Sequence, residues 1–409
     1  MITEIVTATA GMCLYKYLTS RKYYFKKAVE ELYKHNTAFK NSMDRTVKFK
    51  KYQQNDFGEM VTISFSKVMS FKDLKKERDY LKSYFKVDEI EISETFNHDA
   101  ILFFPFKENN FSFKLQQQNP HELIVGQDSF GNYKKVDLNK FPHVLIGGDT
   151  GTGKSRFLMM ALTNLVATSN VNLYLLQIRK SDLIVFKDCY QTKSVVRNLD
   201  DALMLLGYLD NLCKERDKKI ESLMPKGIFN IEDYNKYVKY DKMKYCYIVL
   251  DEFSFFNVNG SDTKAIKIMK RAILGLIKNI VMVGRSVGVF IITSLQKPTS
   301  TSIPTDIKSQ LCTRVCFKML DESTSIQILG NGDATKIKTR RAVIRSLESE
   351  VVSIPFIDFN LIEKYIANKK DANKKYISLL TNSNSNKNQS KDKNKKGVIN
   401  EEVLKNVRK

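Results

Sequence analysis

The chain has 409 residues, 43% of them hydrophobic, and a formal net charge of +22. That length allows two or three domains, and the hydrophobic content suffices for a real core and argues against a largely disordered chain. The charge points to a polyanionic partner, either nucleic acid or an anionic membrane face. Its distribution sharpens the point: residues 16–51 hold 11 Lys/Arg against 3 acids and residues 369–409 hold 12 against 4, so the long middle is only mildly basic. Lys-rich arms also have a plainer reading, as solvated ends.

In chain order, the first feature is an uncharged run from Ile5 to Tyr15. Eleven residues fall short of the roughly 20 that a membrane-spanning helix needs. Followed by the basic stretch from Lys16, the run is compatible with a short interfacial anchor and peripheral association with the cytoplasmic membrane face, without requiring either. Residues 16–41 have helical spacing, and 1–45 is expected to be a basic, membrane-proximal segment. Residues 46–110 read as a small α/β domain, with strands at 46–52, 60–65, 90–92 and 101–104 and a helix capped by Ser70.

A hairpin is expected around Gly126, Asp128 and Gly131. From Phe141 onward, apolar strands at 144–146, 173–178, 247–250, 290–293 and 315–319 alternate with helical stretches. This predicts an α/β unit with a mostly parallel sheet covered by helices on both faces, spanning 121–360. Residues 377–398, rich in Ser, Asn and Lys, read as a disordered tail within a basic region at 369–409. Six cysteines (Cys13, Cys189, Cys213, Cys246, Cys312, Cys316) show no C-x-x-C spacing and read as reduced core residues of a cytosolic protein.

The chemistry concentrates at Gly148-Asp149-Thr150-Gly151-Thr152-Gly153-Lys154-Ser155, a G-x-x-x-x-G-K-[ST] run between an apolar strand and a helix. Glycines let backbone N–H groups turn inward around a β-phosphate, Lys154 reaches the β/γ oxygens, and Ser155 ligates Mg²⁺. About 95 residues later, Tyr247-Ile248-Val249-Leu250-Asp251-Glu252 reads as a buried strand delivering two carboxylates to its C-terminal edge, where open α/β sheets place their ligands. Asp251 is the expected Mg²⁺-side carboxylate and Glu252 the base for the attacking water. Gln296, at the end of the next strand, is placed to feel the γ-phosphate.

These residues resemble the FtsK/SpoIIIE family of DNA-pumping ATPases, and in layout its TcpA-like coupling proteins of Gram-positive conjugative elements. The resemblance covers roughly 121–360. It rests on Gly126-x-Asp128-x-x-Gly131, Pro142-His143, Glu215-Arg216, Asn230–Asn235, Asp251-Glu252-Phe253, Arg285-Ser286-Val287-Gly288 and Gln296-Lys297-Pro298. Asp306-Ile307-Lys308, Thr313-Arg314, Asp321, Ser323, Ile328-Leu329-Gly330 and Gly332-Asp333 complete it. Departures are Ile178-Arg179-Lys180 in place of D-P-K, where only Lys180 carries over, together with Cys312 for Pro and Lys297 for Arg. No match to the family's C-terminal winged helix is found, which weakens sequence-directed chromosome pumping.

What the resemblance implies is ATP hydrolysis coupled to translocation of a mobile element's DNA, by a homo-hexameric ring with a relaxase or membrane-channel partner. It also implies an arginine acting on the neighbouring subunit's nucleotide. Arg314 and Arg285 are the candidates, and either reads equally well as a structural ion-pair residue. Chromosome segregation, a related protein-export ATPase and a static DNA-binding factor stand as alternatives.

Overall fold

The computed structural model describes residues 20–371, apart from 56–57, 96, 107–110, 129–130, 179–180, 297 and 300. The apolar run at 5–15, Cys13, Arg179, Lys180, Lys297 and the tail from 372 therefore lie outside the described residues. Ser20 starts the first helix, α1 (Arg21–His35), its hydroxyl accepting from the Tyr23 backbone N–H at 3.2 Å, as an N-cap serine does. Phe25, Val29 and Leu32, spaced for one helical face, are buried.

That face packs into the core of a four-stranded antiparallel sheet. Its strands are β1 (Lys48–Asn55), β2 (Gly58–Ser64), β3 (Glu91–Glu94) and β4 (Asp99–Pro105), in the order β1-β2-β4-β3. Ser70 caps as expected, but the helix divides at Glu77 into α2 (Phe71–Lys76) and α3 (Arg78–Phe85). Glu59 is buried and accepts from Arg21 Nε at 2.8 Å and from the Tyr52 hydroxyl at 2.8 Å. A buried carboxylate needs such partners, and here they tie α1 to β1 and β2. Lys48, Lys50, Lys51 and a register shift between Phe49 and Lys51 mark β1 as an edge strand protected from pairing. This unit takes in the described residues to Phe111 together with 127–132; the second comprises 112–126 and 133–371.

The second unit is built on a ten-stranded sheet. Its elements are β5 (Glu122–Gln127), β6 (Tyr133–Asp137), β7 (Val144–Gly147), α4 (Lys154–Thr168), β8 (Asn172–Leu176) and β9 (Thr192–Val196). Then come α5 (Leu199–Glu221), α6 (Ile231–Tyr237), β10 (Cys246–Leu250), α7 (Lys264–Val287), β11 (Val289–Leu295), α8 (Thr305–Gln310) and β12 (Thr313–Phe317). Helix α9 (Glu322–Leu329), β13 (Arg341–Arg345), β14 (Ser349–Ser353) and α10 (Phe359–Ile366) complete it.

Strand order is β6-β5-β14-β13-β12-β7-β11-β10-β8-β9. The run β12-β7-β11-β10-β8-β9 is parallel throughout, and β13 and β14 extend it antiparallel. Every residue of β7, β10 and β11 is buried, the signature of strands covered on both faces. Tyr247, Val249, Phe290 and Ile292 pack with α4 and α10 on one face; Ile248, Leu250, Ile291 and Leu295 pack with α5 and α7 on the other. The fold is α/β, as the alternation of strands and helices predicts. Strands β9, β13 and β14 were not expected.

Pro142-His143 leads into β7 with His143 at φ 58 and fully buried. The Ile291 N–H donates to His143 Nδ1 at 3.0 Å, which fixes the neutral tautomer, and Nε2 donates to the Val281 carbonyl at 3.0 Å. One imidazole thereby joins the lead-in, β11 and α7. Gly284 makes room for it, since a Cβ there would lie 2.9 Å from His143 Cε1. Burial lowers the His143 pKa from 6.5 to about 4. A folded pKa below the unfolded one means that protons favour the unfolded chain. Stability is thus intact above pH 6.5 and falls by about 1.4 kcal/mol per pH unit toward pH 4. Denaturant titrations at a series of pH values should show this component in wild type and lose it in His143→Gln.

Candidate nucleotide site

The glycine-rich loop joins β7 to α4, and its shape follows from three left-handed glycines. Gly148, Gly151 and Gly153 have φ values of 152, 79 and 126, where side chains are strained. Two of them also lack space for one: a Cβ at Gly148 would sit 2.5 Å from Phe317 Cβ, and one at Gly153 2.9 Å from the Phe317 ring. The loop is moored to the segment after β12. Asp149 N–H donates to the Lys318 carbonyl at 3.3 Å, Leu320 N–H donates to Asp149 Oδ2 at 2.8 Å, and Arg340 N–H donates to the Thr152 carbonyl at 3.2 Å. The Thr152 hydroxyl closes the loop on the Asp149 carbonyl at 2.7 Å. Thr150 and Ser155 are exposed.

Lys154, the first residue of α4, folds back over the loop, its Nζ donating to the carbonyls of Gly148 and, at 3.0 Å, Asp149. Burial pulls its pKa down, opposed by the charges of Glu252 and Asp149. These contacts hold the ammonium over the cradle that backbone N–H groups form at the start of α4, where an anion is favoured.

A cleft of about 530 Å³ lies beside the loop, within the range of small-molecule sites. Lys154, Ser155, Asp251, Glu252 and Gln296 all line it. Asp251 follows β10, and burial raises its carboxyl pKa; a hydrogen bond from the Ser181 hydroxyl opposes that shift and the charge of Asp182 adds to it. Glu252 is 8% exposed. Its Oε1 accepts from Ser254 N–H at 3.4 Å and its Oε2 from Gln296 N–H at 3.2 Å. Burial raises its pKa as well, against those bonds and the Lys154 charge. Gln296, one residue past β11, is exposed at the cleft and carries through its backbone a direct link to Glu252.

Two of the sequence candidates lie elsewhere. Arg285 is in the last turn of α7, beside the start of β11 and so at the opposite edge of the sheet, exposed, with Nε donating to the Asn139 carbonyl at 2.8 Å. Arg314, on β12, is half-buried and spends its guanidinium on three carbonyls: Leu311 from Nε at 3.2 Å, Ile328 from Nη1 at 2.9 Å and Lys308 from Nη2 at 2.9 Å.

Sequence reasoning missed Ser181, Asp182, Ser254 and Ser294, which line the cleft. A polar pair just beyond an apolar strand was the available signal for the first two. It also missed Lys270, 6% exposed on α7, whose Nζ bonds the Asn257 carbonyl at 2.9 Å and both Asp262 carboxylate oxygens at 3.1 and 2.9 Å, fixing the loop beyond Glu252. Among the described residues no group of His, Cys, Asp and Glu forms a ready metal cluster, and no helix is long and apolar enough to cross a membrane.

A glycine cradle on a helix N-terminus, opposed across a cleft by carboxylates at the end of a parallel strand, defines a P-loop NTPase domain. Residues 112–294 match the FtsK/SpoIIIE family. That match covers under half of the chain. It is 25% identical over 230 residues to the DNA translocase FtsK of Staphylococcus epidermidis, covering 53% of this chain and 27% of that one. To the DNA translocase FtsK of Leptospira interrogans it is 24% identical over 307 residues, 70% of this chain and 30% of the relative. The chain thus spans under a third of the length of either relative.

In fold it is similar to the pCW3 conjugation coupling protein TcpA, a monomer form with ATPγS, at TM-score 0.59 and 19% identity, over 84% of this chain and 99% of that one. The cytoplasmic domain of the Thermomonospora curvata type VII secretion ATPase EccC follows at TM-score 0.51 and 20% identity, over 66% of this chain and 33% of that one.

Proposed function

We propose that the chain is an ATP-driven DNA translocase that moves the DNA of a mobile element during conjugative transfer. The observation that carries the ATPase part is the placement of Lys154, Ser155, Asp251, Glu252 and Gln296 around one cleft. The DNA part is supported by the family match and by the charge of +22, and a phosphate-directed contact of this kind falls steeply with salt. The conjugative part is supported by the fold likeness to TcpA, which extends over nearly all of that chain.

The residues present fit a magnesium ion beside the nucleotide: a serine hydroxyl, an aspartate whose charge is penalised by burial, and an all-oxygen donor set suit a hard cation. When bound, that ion would supply neutralisation of the phosphate charge. Ser155 and Asp251 are assigned to hold it. The P-loop amides and Lys154 bind and orient the phosphates, Lys154 exchanging its two loop carbonyls for phosphate oxygens. Glu252 takes the proton of the attacking water, and Gln296 transmits loss of the γ-phosphate through the N–H it gives to Glu252.

Arg285 is assigned as the residue that acts on a neighbouring subunit's nucleotide in a hexameric ring, because it is exposed, whereas Arg314 is engaged within its own chain. Further partners on this reading are a relaxase or membrane-channel protein, with the basic N-terminal region at an anionic membrane face. Protein export is the second reading, favoured by the fold likeness to EccC and opposed by the basic charge.

ATP turnover of the purified chain, with and without long DNA, tests the proposal. DNA should stimulate turnover, and Lys154→Ala should abolish it. Turnover that ignores DNA and survives Lys154→Ala would sink the motor reading.

A further inference from the structure

Gln177 follows β8 directly and is 2% exposed. Its backbone N–H is spent on the Val196 carbonyl at 2.9 Å, yet both its side-chain Oε1 and Nε2 are buried without a partner among the described residues. Buried amides are nearly always satisfied, and an orphan asks for an explanation in an absent water, ion or function. Its position supplies one. Strand β8 pairs with β10 through Leu176 and Leu250, and the Asp251 N–H continues that ladder to the Leu176 carbonyl at 3.2 Å, so Gln177 stands opposite Asp251.

Side-chain alternation places both on the same sheet face. Leu173 and Leu175 on β8 share the α4 side with Tyr247 and Val249 on β10, and two further steps reach Gln177 and Asp251. Ser181 lies four residues beyond Gln177, its hydroxyl accepting from the Leu183 N–H at 3.3 Å and giving its one proton to Asp251. Asp251 is thus held by Ser181 and stands in register with a residue whose buried amide has nothing to bond. In the sequence this glutamine sits at the apolar end of a strand, just before the segment where D-P-K would be expected.

On the reading that the cleft binds Mg²⁺ with a nucleoside triphosphate, we propose that Gln177 is a positioning residue for that ion. Its amide engages the Asp251 carboxylate and the water shell between Asp251 and the cation only when metal and nucleotide are present. The nucleotide-free chain carries the orphaned amide as a standing cost, and ligand binding relieves it. Groups that orient a metal's ligands typically change metal affinity 10- to 100-fold when removed.

The test uses the full chain and a fluorescent ATPγS analogue, titrated with Mg²⁺ and with EDTA, alongside thermal unfolding without nucleotide. Wild type should bind more tightly with Mg²⁺. In Gln177→Leu and the near-isosteric Gln177→Met that Mg²⁺-dependent gain should shrink at least about tenfold, while affinity in EDTA stays unchanged. The nucleotide-free melting temperature of both variants should rise by about 2–4 °C, since an apolar side chain replaces an unpaired amide. An unchanged Mg²⁺ gain in both variants overturns the proposal, and so does a lower melting temperature in both, which would mean that the amide already has its partner. Failure of wild type to bind the nucleotide at all would instead remove the nucleotide-site reading on which the proposal rests.

Discussion

Glu252→Gln should lower ATP turnover by about 10²–10³-fold while leaving MgATP affinity within a few-fold of wild type. The size follows from how the carboxylate is held. Glu252 is 8% exposed, and each oxygen takes one backbone N–H, from Ser254 at 3.4 Å and from Gln296 at 3.2 Å. Those bonds, with one from the Ser254 hydroxyl, fix the group at the cleft wall and still leave it a lone pair for a water. Glutamine keeps the shape and the charge-independent packing but presents an NH₂ where a proton acceptor is needed. The pH profile carries the second part of the argument. Burial raises the Glu252 pKa above 4.5, and the working form of a base is the ionised one. Turnover should therefore fall as pH drops through a value above the ordinary carboxylate range, and recover above it. The residual activity of Glu252→Gln should lack that acid limb. Turnover near wild type in the variant would remove Glu252 as the base.

Much of this site was legible because its demands are local. Three glycines at fixed spacing, with Lys154 and Ser155, describe a loop whose backbone conformation needs those residue types, and the structure gives all three glycines positive φ. Asp251-Glu252 after four apolar residues was legible for the same reason: a strand covered on both faces is apolar to its end, so its last polar residues mark the exposed edge. Pro142-His143 was visible as a pattern, but its role was not. The imidazole bonds Ile291 and Val281, some 140 residues away, and no local spacing encodes such a partnership.

Strands β13 and β14 escaped because each offers at most three consecutive apolar residues between charged or polar ends, Arg341–Arg345 and Ser349–Ser353. Only pairing with β12 and with each other makes them strands. Helix α1 reads from its sequence as a basic arm, since its lysines dominate the composition. Its three buried residues, Phe25, Val29 and Leu32, decide its place in the core of the four-stranded unit. Gln177 was hidden by the opposite problem, a polar residue in a position that apolar neighbours make look like core.

The two arginines separate by what their removal costs. Arg314→Ala withdraws three donors at once and leaves the carbonyls of Leu311, Ile328 and Lys308 without them, in a half-buried pocket between β12 and α9. A lost bond to a charged donor is worth about 1.5–3 kcal/mol and such losses are not additive. The expected effect is a drop of roughly 3 kcal/mol in unfolding free energy, read by denaturant titration. Arg285→Ala removes one bond, to the Asn139 carbonyl, from an exposed side chain. Its stability should stay within about 1 kcal/mol of wild type. Its turnover should nonetheless collapse by about 10³-fold or more if the guanidinium stabilises the transferring phosphoryl group of a neighbour. Because that contribution crosses between chains, mixing decides it. Arg285→Ala keeps an intact loop and Lys154→Ala keeps an intact arginine, so equimolar mixtures of the two inactive proteins should regain a measurable fraction of wild-type turnover. Either Arg285→Ala subunits that retain wild-type turnover on their own, or mixtures of two inactive proteins that remain inactive, would return Arg285 to a structural role at the end of α7.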